Sequence, residues 1–426
     1  MKALILHLSD MHISDENIPI IEHVDSIVNS IKNLDYNIGV VLVIVSGDIT
    51  FSGQDDEFLI AIDLLETIRD KLSTATNAPA YCIPVPGNHD CNFTSSRARE
   101  FIVKKLKEDN FNKIDDEVIA VCLEPQSEFI QFRDSFVSSK NISVDEPLFY
   151  QYIFDLDGDQ VEINCINTAW VSLRHETPGT LYFPMDCHPE LEHNSSIVIS
   201  VFHHPYQWLA PNNAREFREK IESYSDMIFT GHEHTSTKSV IERDDGPRMS
   251  YIEGGALHDT HYGSESTFNA IVVDIEGRKQ KFSRMKWDGH KYLSTIPLHE
   301  DNCGMGLRWD QLPTNRARSG NHSEVNQGMA DYLDDPCVSL MQKNRGVSAP
   351  ITLSDIFVAP DVKITSNKGS EKGEKIKGEN LFDFAYQNPR LLITGESQSG
   401  KTTLSKSFFK WFLKEGFLPI IIDEND

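Results

Sequence analysis

Seven side chains able to ligate metal stand in five short motifs of this chain. They are Asp10 and His12 in LSDMH, Asp48 in SGDITFSG, Asn88 in PGNHD, His203 in FHHP, and His232 and His234 in TGHEH. Carboxylate, carboxamide and imidazole together make a mixed oxygen and nitrogen set. Such a set suits manganese, iron or zinc better than calcium, and carries too much nitrogen for magnesium alone. Their number and order fit a centre of two divalent ions. Asp48 is the only ligand in its motif, and a carboxylate with two oxygens is the natural bridge between two cations; Gly47 beside it lets the backbone come close. Paired cations activate water for in-line attack on phosphorus, so the pattern predicts hydrolysis of a phosphate ester.

A second constellation lies far downstream. GESQSGKT, Gly395 to Thr402, has the pattern of a glycine-rich phosphate loop, and RLLIT before it with SKSFFKWFLKEG after it reads as strand, loop and helix. Backbone amides between Gly395 and Gly400 would cradle phosphates, Lys401 would reach the β- and γ-phosphates, and Thr402 would hold magnesium. ATP with magnesium is therefore the expected ligand there in the full-length protein. FLPIIIDEND adds one further strand before the sequence ends. No second acidic motif follows, so an incomplete NTPase rather than a working ATPase is expected.

The elements that position the first set are legible as alternating patterns. Residues 3–8, 40–46 and 80–85 are apolar and strand-like, and each runs straight into a ligand motif. Open α/β sheets place ligands at such carboxyl ends. Apolar residues recur at helical spacing over 18–34 and again from Phe58 to Leu72. Residues 109–147 predict a helical insertion over the site. Strand signals resume at 148–155, 161–167, 196–202, 226–230, 249–253 and 268–275, and the later ones are close enough for antiparallel pairing. The expected domains are 1–298 for the metal site, 299–350 as a connector with a short helix around 325–343, and 351–426 as the start of the nucleotide domain. The Lys-, Glu- and Gly-rich stretch 366–380 reads as an exposed loop.

Composition narrows the classes. At 426 residues the chain should hold two or three domains. No apolar run reaches 18 residues, and the N-terminal run is too short for a signal peptide, so no membrane association and a cytoplasmic setting are expected. The cysteines at 82, 91, 122, 165, 187, 303 and 337 form no CxxC pair, which predicts free thiols. A net charge of −25 argues against broad electrostatic capture of nucleic acid. It leaves a nuclease open, because bound cations reverse the local field.

The motifs LSDMHIS, SGDITFSGQDDEF, PGNHDC, NTAW, HHP and GHEH resemble the calcineurin-like metallophosphoesterase superfamily over roughly residues 1–300, in particular its cyclic-nucleotide phosphodiesterase-like branch. The resemblance implies an α/β fold, a four-layer α/β/β/α sandwich of two mixed sheets. It also implies one metal on Asp10, His12, Asp48 and His234 and another on Asp48, Asn88, His203 and His232. The family pattern His-x-Pro selects His203, with Pro205 fixing the turn; His204 is the alternative ligand or else borders the substrate. By the same resemblance His89 is the catalytic residue that is not a ligand, polarising a phosphoryl oxygen or protonating the leaving group. Protein-phosphatase members carry a second Asp three residues after the bridging one, paired with this histidine. Phe51 stands there instead, which argues against a Ser/Thr protein phosphatase and makes Asp90 a structural turn residue.

Weaker candidates surround this set. Asn167, Thr168 and Trp170 either line the pocket or belong to the core. His258 and His261 either touch substrate or sit in an exposed loop, and Cys91 is either oxidant-sensitive or buried. Upstream of the phosphate loop, LSDIFVAPDVK resembles the segment before the NTPase in large bacterial signalling ATPases of the NACHT/STAND kind. That resemblance implies an effector phosphoesterase within a nucleotide-switched protein, able to self-associate through its NTPase region. The leading expectation is a phosphodiesterase acting on nucleotides or nucleic acid. The alternatives are a regulatory NTPase fragment whose phosphoesterase-like domain only binds, and a phosphomonoesterase of small metabolites.

Overall fold

The computed structural model describes residues 2–14, 19–32, 34–35, 37–94, 97–112, 114–136, 140–156, 158–193, 195–242, 248–258, 266–301, 304–313, 327–335, 353–364, 375–388, 391–396 and 399–414. They fall into two compact units, Met1–Asn315 and Arg316–Asp426.

The first unit is built on two mixed sheets. One has the order β13-β12-β11-β1-β2-β3, with β16 also on β12. Its members are β1 (Lys2–Leu8), β2 (Ile38–Ser46), β3 (Ala80–Val85), β11 (Thr267–Asp274), β12 (Lys279–Trp287), β13 (Tyr292–Ser294) and β16 (Asp310–Gln311). The other has the order β4-β5-β6-β7-β8-β10-β9. It comprises β4 (Ile142–Asp145), β5 (Phe149–Leu156), β6 (Asp159–Ile166), β7 (Ile197–Phe202), β8 (Met227–Thr230), β9 (Thr237–Glu242) and β10 (Arg248–Glu253). Strands β1, β2 and β3 run parallel, as do β6, β7, β8 and β10, while hairpins flank them. A small ribbon pairs β14 (His299–Asp301) with β15 (Gly304–Gly306).

Alternation along the central strands explains the layering. Leu4, Leu6 and Leu8 of β1 and Val41, Val43 and Val45 of β2 pack outward, into a cluster with Ile27, Phe58, Leu65 and Ile68 from helices. Ala3, Ile5, Val40, Leu42 and Ile44, on the opposite face, meet Tyr150, Ile163, Ile199 and Met227 of the second sheet. Strands apolar on both faces are what a sheet buried on both sides requires. The outer face of the second sheet is covered in turn by helices and loops through Val103, Trp170, Phe202, Phe217 and Ile228. The four-layer sandwich anticipated from the motifs is thus the observed architecture.

Helices α1 (Pro19–Glu22), α2 (Val24–Ile31), α3 (Asp55–Thr76), α4 (Arg97–Glu108), α5 (Asp116–Leu123), α6 (Ser127–Phe136) and α7 (Pro211–Tyr224) supply the outer layers. The helix read over 18–34 is two pieces broken at His23, whose ring stacks on Trp287 at 3.7 Å. The insertion at 109–147 is helical through α5 and α6 but ends in β4, which closes the edge of the second sheet. Strands β9 and β12 carry charged residues on their open faces, which masked their period in the sequence.

Burial also sets acid sensitivity. His188 is 4% exposed; its Nδ1–H donates to the Pro189 carbonyl at 2.8 Å and its Nε2 accepts from the Tyr224 hydroxyl at 2.9 Å. The neutral ring satisfies both partners, and burial disfavours the charged form. Burial pushes its pKa from 6.5 to about 4; the Pro189 bond and Glu190 oppose this, while Lys220 and His193 add repulsion. The unfolded chain therefore binds a proton that the folded chain refuses between about pH 6.5 and 4. Stability contributed by the neutral ring is complete above 6.5 and falls through that window. Urea midpoints should drop between pH 7 and 4 less steeply in His188→Gln than in the parent; parallel curves would remove His188 from the account.

The second unit holds helices at Gln327–Asp334, Leu353–Ile356, Leu381–Gln387 and Lys401–Lys414, with a short pairing of Val362–Lys363 and Lys375–Ile376. Phe382 packs on Phe408 and Trp411. The helix expected after the phosphate loop forms, and one of eight residues occupies part of 325–343. Residues 391–396 are not a strand, contrary to the reading of RLLIT. A strand needs a neighbour for its backbone hydrogen bonds, and none pairs with this run among the described residues. Most of 366–380 and the apolar run of FLPIIIDEND lie outside the described residues. Among the described residues no helix is long and apolar enough to cross a membrane.

Candidate metal centre

All five motifs lie just past strand ends. Asp10 and His12 follow β1, Asp48 follows β2, Asn88 follows β3, His203 follows β7, and His232 and His234 follow β8. The loops are tied across strands: Met11 N–H and His12 N–H donate to the Asp48 carbonyl at 2.8 and 3.1 Å, and Gly231 N–H donates to the His203 carbonyl at 3.0 Å. After Asp48 the chain turns into α3, where Glu57 accepts from the backbone N–H of Ser52 and Gln54 at 2.9 and 3.2 Å. This is a capping box that fixes the loop's exit.

Backbone conformation marks the centre as plainly as the side chains do. Asp10, His12, Asp48, His232 and His234 have φ of 51°, 45°, 52°, 74° and 52°. The left-handed region is costly for residues with a Cβ and persists where surrounding contacts enforce it, often at functional sites. Gly47 has φ 94°, and a Cβ there would lie 2.4 Å from His203 Nδ1, so the ring's approach depends on glycine.

The side chains converge. Ligand atoms of Asp10, His12 and His234 lie within 4.8 Å of one another, as do those of Asp10, Asp48 and His203, and those of His12, Asp48 and His89. His12 Nε2 is 3.2 Å from His234 Nε2, His232 Nδ1 is 3.2 Å from His203 Nε2, and His203 Nε2 is 3.2 Å from Asp48 Oδ2. Asn88 joins them through its neighbour, whose backbone N–H donates to Asp48 Oδ1 at 2.8 Å. Asp48 thus stands between the groups, as a bridge would.

The donor set fits divalent cations. Asn88 Oδ1 and His12 Nδ1 are buried and have no hydrogen-bond partner among the described residues. Burial drives His12 down to about 3 and His232 further down, which keeps both rings neutral with free lone pairs. Burial also raises the Asp10 carboxyl; for Asp48 burial is the largest single influence and raises it, but the charge and hydrogen bond of His203 together with His89 and His12 hold it well below the ordinary value. His203 is itself raised to about 10: burial lowers it, but the charge and hydrogen bond of Asp48, the charge of Asp10 and the bond to the Ser46 carbonyl together prevail. A proton on His203 is doing there what a cation would do, offsetting a buried carboxylate.

The structure separates the paired histidines. His203 Nδ1–H donates to the Ser46 carbonyl at 2.7 Å, which leaves Nε2 for a metal. His204 has both ring nitrogens engaged, Nδ1 with Thr168 Oγ1 and Nε2 with Glu176 Oε2, each at 3.0 Å. Glu176 had no signal in the sequence, since a lone acid in a loop looks like solvent-exposed charge.

His89 lies at the mouth. Its ring is 4.6 Å from that of His12, and its Nδ1–H donates to the Phe51 carbonyl at 2.8 Å. The partner that protein phosphatases supply as a carboxylate is here a backbone oxygen, and Nε2 has no hydrogen-bond partner among the described residues. Asp90 accepts from Ile49 N, Thr50 N and Gly87 N at 2.8–2.9 Å, which is the structural turn role read from the sequence. Trp170 and Asn167 are core residues, with Trp170 Nε1–H donating to the Tyr182 carbonyl and Asn167 to Gln126. His258 touches the centre through its backbone N–H, which donates to the Asp10 carbonyl at 3.2 Å; His261 lies outside the described residues. Cys91 is 1% exposed and burial pushes its thiol up to about 12, so it is not poised for oxidation.

Behind Asp10 runs a buried chain of donors that sequence reasoning missed. Arg284 Nε–H donates to Ser236, Ser236 to Asn269 Oδ1, and an Asn269 N–H to His7 Nδ1, at 2.8, 2.9 and 3.3 Å. His7 Nε2–H then donates to Ser46, Ser46 to Ser9, and Ser9 to Asp10 Oδ2, at 2.8, 3.0 and 2.5 Å. Every link points the same way, so the dipoles reinforce one another and hold the Asp10 carboxylate in one orientation. A histidine in the apolar run LILHL was the available signal. Burial lowers His7 to about 3, matching the neutral tautomer the chain requires. Outer-shell partners of this kind are worth about 10–100-fold in metal affinity. Ser9→Ala should therefore weaken zinc binding by that factor in equilibrium dialysis, beyond the stability loss of about 1–3 kcal/mol that the metal-free protein shows for one buried hydrogen bond; unchanged affinity would make the chain purely structural.

In the second unit, Lys401 Nζ donates to the carbonyls of Gly395 and Glu396 at 3.0 and 2.8 Å. Gly400 takes φ 83°, and the helix starts at Lys401 with Thr402 exposed. Gly395, Gly400, Lys401 and Thr402 thus lie in one loop and helix start of the second unit.

Comparison with known proteins adds a family. The family model described as calcineurin-like phosphoesterase matches residues 3–236. A search of curated proteins finds no match. Among solved structures, the zinc complex of Vps29 from Entamoeba histolytica is 10% identical, covering 68% of this chain and 96% of its own, with a TM-score of 0.29. The phosphopantetheinyl hydrolase of Mycobacterium tuberculosis is 14% identical over 60% of this chain and 90% of its own, with a TM-score of 0.31. The Thermus thermophilus sulfate thiohydrolase SoxB is 12% identical over 73% and 56%, with a TM-score of 0.32.

Proposed function

Since this chain belongs to the calcineurin-like phosphoesterase family, we propose that it is a hydrolase of phosphodiesters of the nucleotide or nucleic-acid type. The observation that carries the reading is the convergence of the Asp and His ligands, with the buried, unpartnered Asn88 Oδ1 and His89 beside them. Asp10, His12, Asp48 and His234 would hold one divalent cation and Asp48, Asn88, His203 and His232 the other, as manganese, iron or zinc. When bound, the pair supplies Lewis acidity and acidifies water. The chain's own part is orientation and proton transfer. Asp48 keeps the two halves in register, and the free Nε2 of His89 is placed to give a proton to a departing ester oxygen.

A diester has two organic groups, and an open cleft of about 390 Å³ beside His89 leaves room for the second. This favours a diester over a monoester and is compatible with the cyclic-nucleotide-like motifs. Residues 351–426 would then be the start of a P-loop NTPase domain binding ATP and magnesium. The phosphoesterase would be the effector of a larger cytoplasmic signalling ATPase of the NACHT/STAND kind, self-associating through that region. The glycine loop and the Lys401 helix support this part of the reading.

Metal-reconstituted protein should hydrolyse bis(p-nitrophenyl) phosphate and at least one among cyclic nucleotides, single-stranded DNA and double-stranded DNA. No turnover of any of them with manganese, iron or zinc would leave a binding role in place of hydrolysis. Retention of a fluorescent ATP analogue should be lost in Lys401→Ala.

A further inference from the structure

We propose that the cleft beside His89 is a subsite for a nucleotide that carries a base and a second, non-scissile phosphate. The base stacks on Phe51 and Phe93, and that phosphate pairs with Arg174. This inference rests on the phosphodiesterase reading and names the substrate class within it. The cleft opens directly on the chemistry, because Asn88 and His89 line it together with Phe51, Phe93, Arg174 and His175.

Phe51 leaves 48% of its surface exposed in a hollow otherwise lined largely by polar groups. Its main chain is fixed by the bond to His89, and its ring sits 5.7 Å from the imidazole. Phe93 is backed by the guanidinium of Arg99, 5.4 Å from the ring centre. Arg99 is itself 2% exposed and donates to the carbonyls of Cys122 and Trp170 at 2.7 and 3.0 Å. Phe93 is thus backed by Arg99, while Phe51 offers a half-exposed ring on a fixed main chain. Aromatic faces of this kind bind any base by stacking.

Arg174 supplies the charge. It is exposed and forms no ion pair with a described residue, in a chain of net charge −25. Its loop is pinned on both sides, by Glu176 on His204 and by the Trp170 bond to the Tyr182 carbonyl. A free guanidinium on an anchored loop beside a phosphoesterase centre matches a phosphate oxygen pair. A cyclic mononucleotide, with one phosphate, cannot use it. A 5′-phosphorylated dinucleotide can.

The test compares kcat/KM on the dinucleotides pTpT and TpT and on glycerophosphoethanolamine, which has no base. The parent should prefer pTpT over TpT by roughly tenfold, and Arg174→Met should abolish that ratio. Phe51→Ala should lower the preference for TpT over glycerophosphoethanolamine by about tenfold or more. In parallel, calorimetric binding of thymidine 3′,5′-bisphosphate to the metal-loaded protein should weaken roughly tenfold in each variant. Hydrolysis with flat ratios and unchanged binding overturns the subsite and leaves the phosphodiesterase. Variant-sensitive binding without hydrolysis of any diester upholds the subsite and overturns the reaction.

Discussion

Asp48→Asn is expected to lower kcat/KM by about a thousandfold or more, since cation-based charge stabilisation is worth several kcal/mol and each 1.36 kcal/mol is tenfold. Bound metal should fall from two equivalents to one or fewer. The substitution is conservative in every other respect. An asparagine keeps an oxygen to accept the His89 N–H, and it tolerates the φ of 52° that the loop imposes. What it removes is the charge facing His203 Nε2 at 3.2 Å and the second oxygen of the bridge. Activity and metal content both at parental levels would sink the two-cation reading.

His89→Ala should lower kcat by about 10²–10⁴ while leaving metal content unchanged. Its Nδ1 is committed to the Phe51 carbonyl, so a single nitrogen faces the substrate side. If that nitrogen serves the departing oxygen, the loss depends on the leaving group. An alkyl ester, whose alkoxide needs a proton, should suffer far more than a p-nitrophenyl ester, whose phenolate leaves unaided. Equal losses on both would assign His89 to holding a phosphoryl oxygen instead. Loss of metal with the variant would make it a ligand.

The central strands and the ligand motifs were legible because each is local. Residues 80–85 coincide with β3, and the ligand of each motif sits within a few residues of a strand end, where burial on both faces gives way to a polar turn. What the sequence hid is non-local. His7, Ser46 and Asn269 form a chain only because β1 pairs with β2 on one side and β11 on the other. Glu176 acquires its role only by reaching His204 across the fold. The charged residues of β12 broke its period, and the helix break at His23 reflects a ring partner more than 260 positions away. The strand expected at RLLIT had the right local propensity but no partner among the described residues, and propensity alone does not make a ladder.

The run of left-handed residues at the metal ligands carries a consequence for how this protein could decay. Asp10, His12, Asp48, His232 and His234 hold conformations that glycine and asparagine adopt at less cost. In a lineage that no longer needed the cations, selection for ligands would lapse while selection for an easily folded chain would persist. Drift would then run toward glycine and asparagine first at the less buried His234, whereas Asp10 and Asp48 would be kept as buried hydrogen-bond acceptors even without cations. A glycine variant at His234, whose side chain is 28% exposed, should mimic that history: dead, intact and no easier to melt.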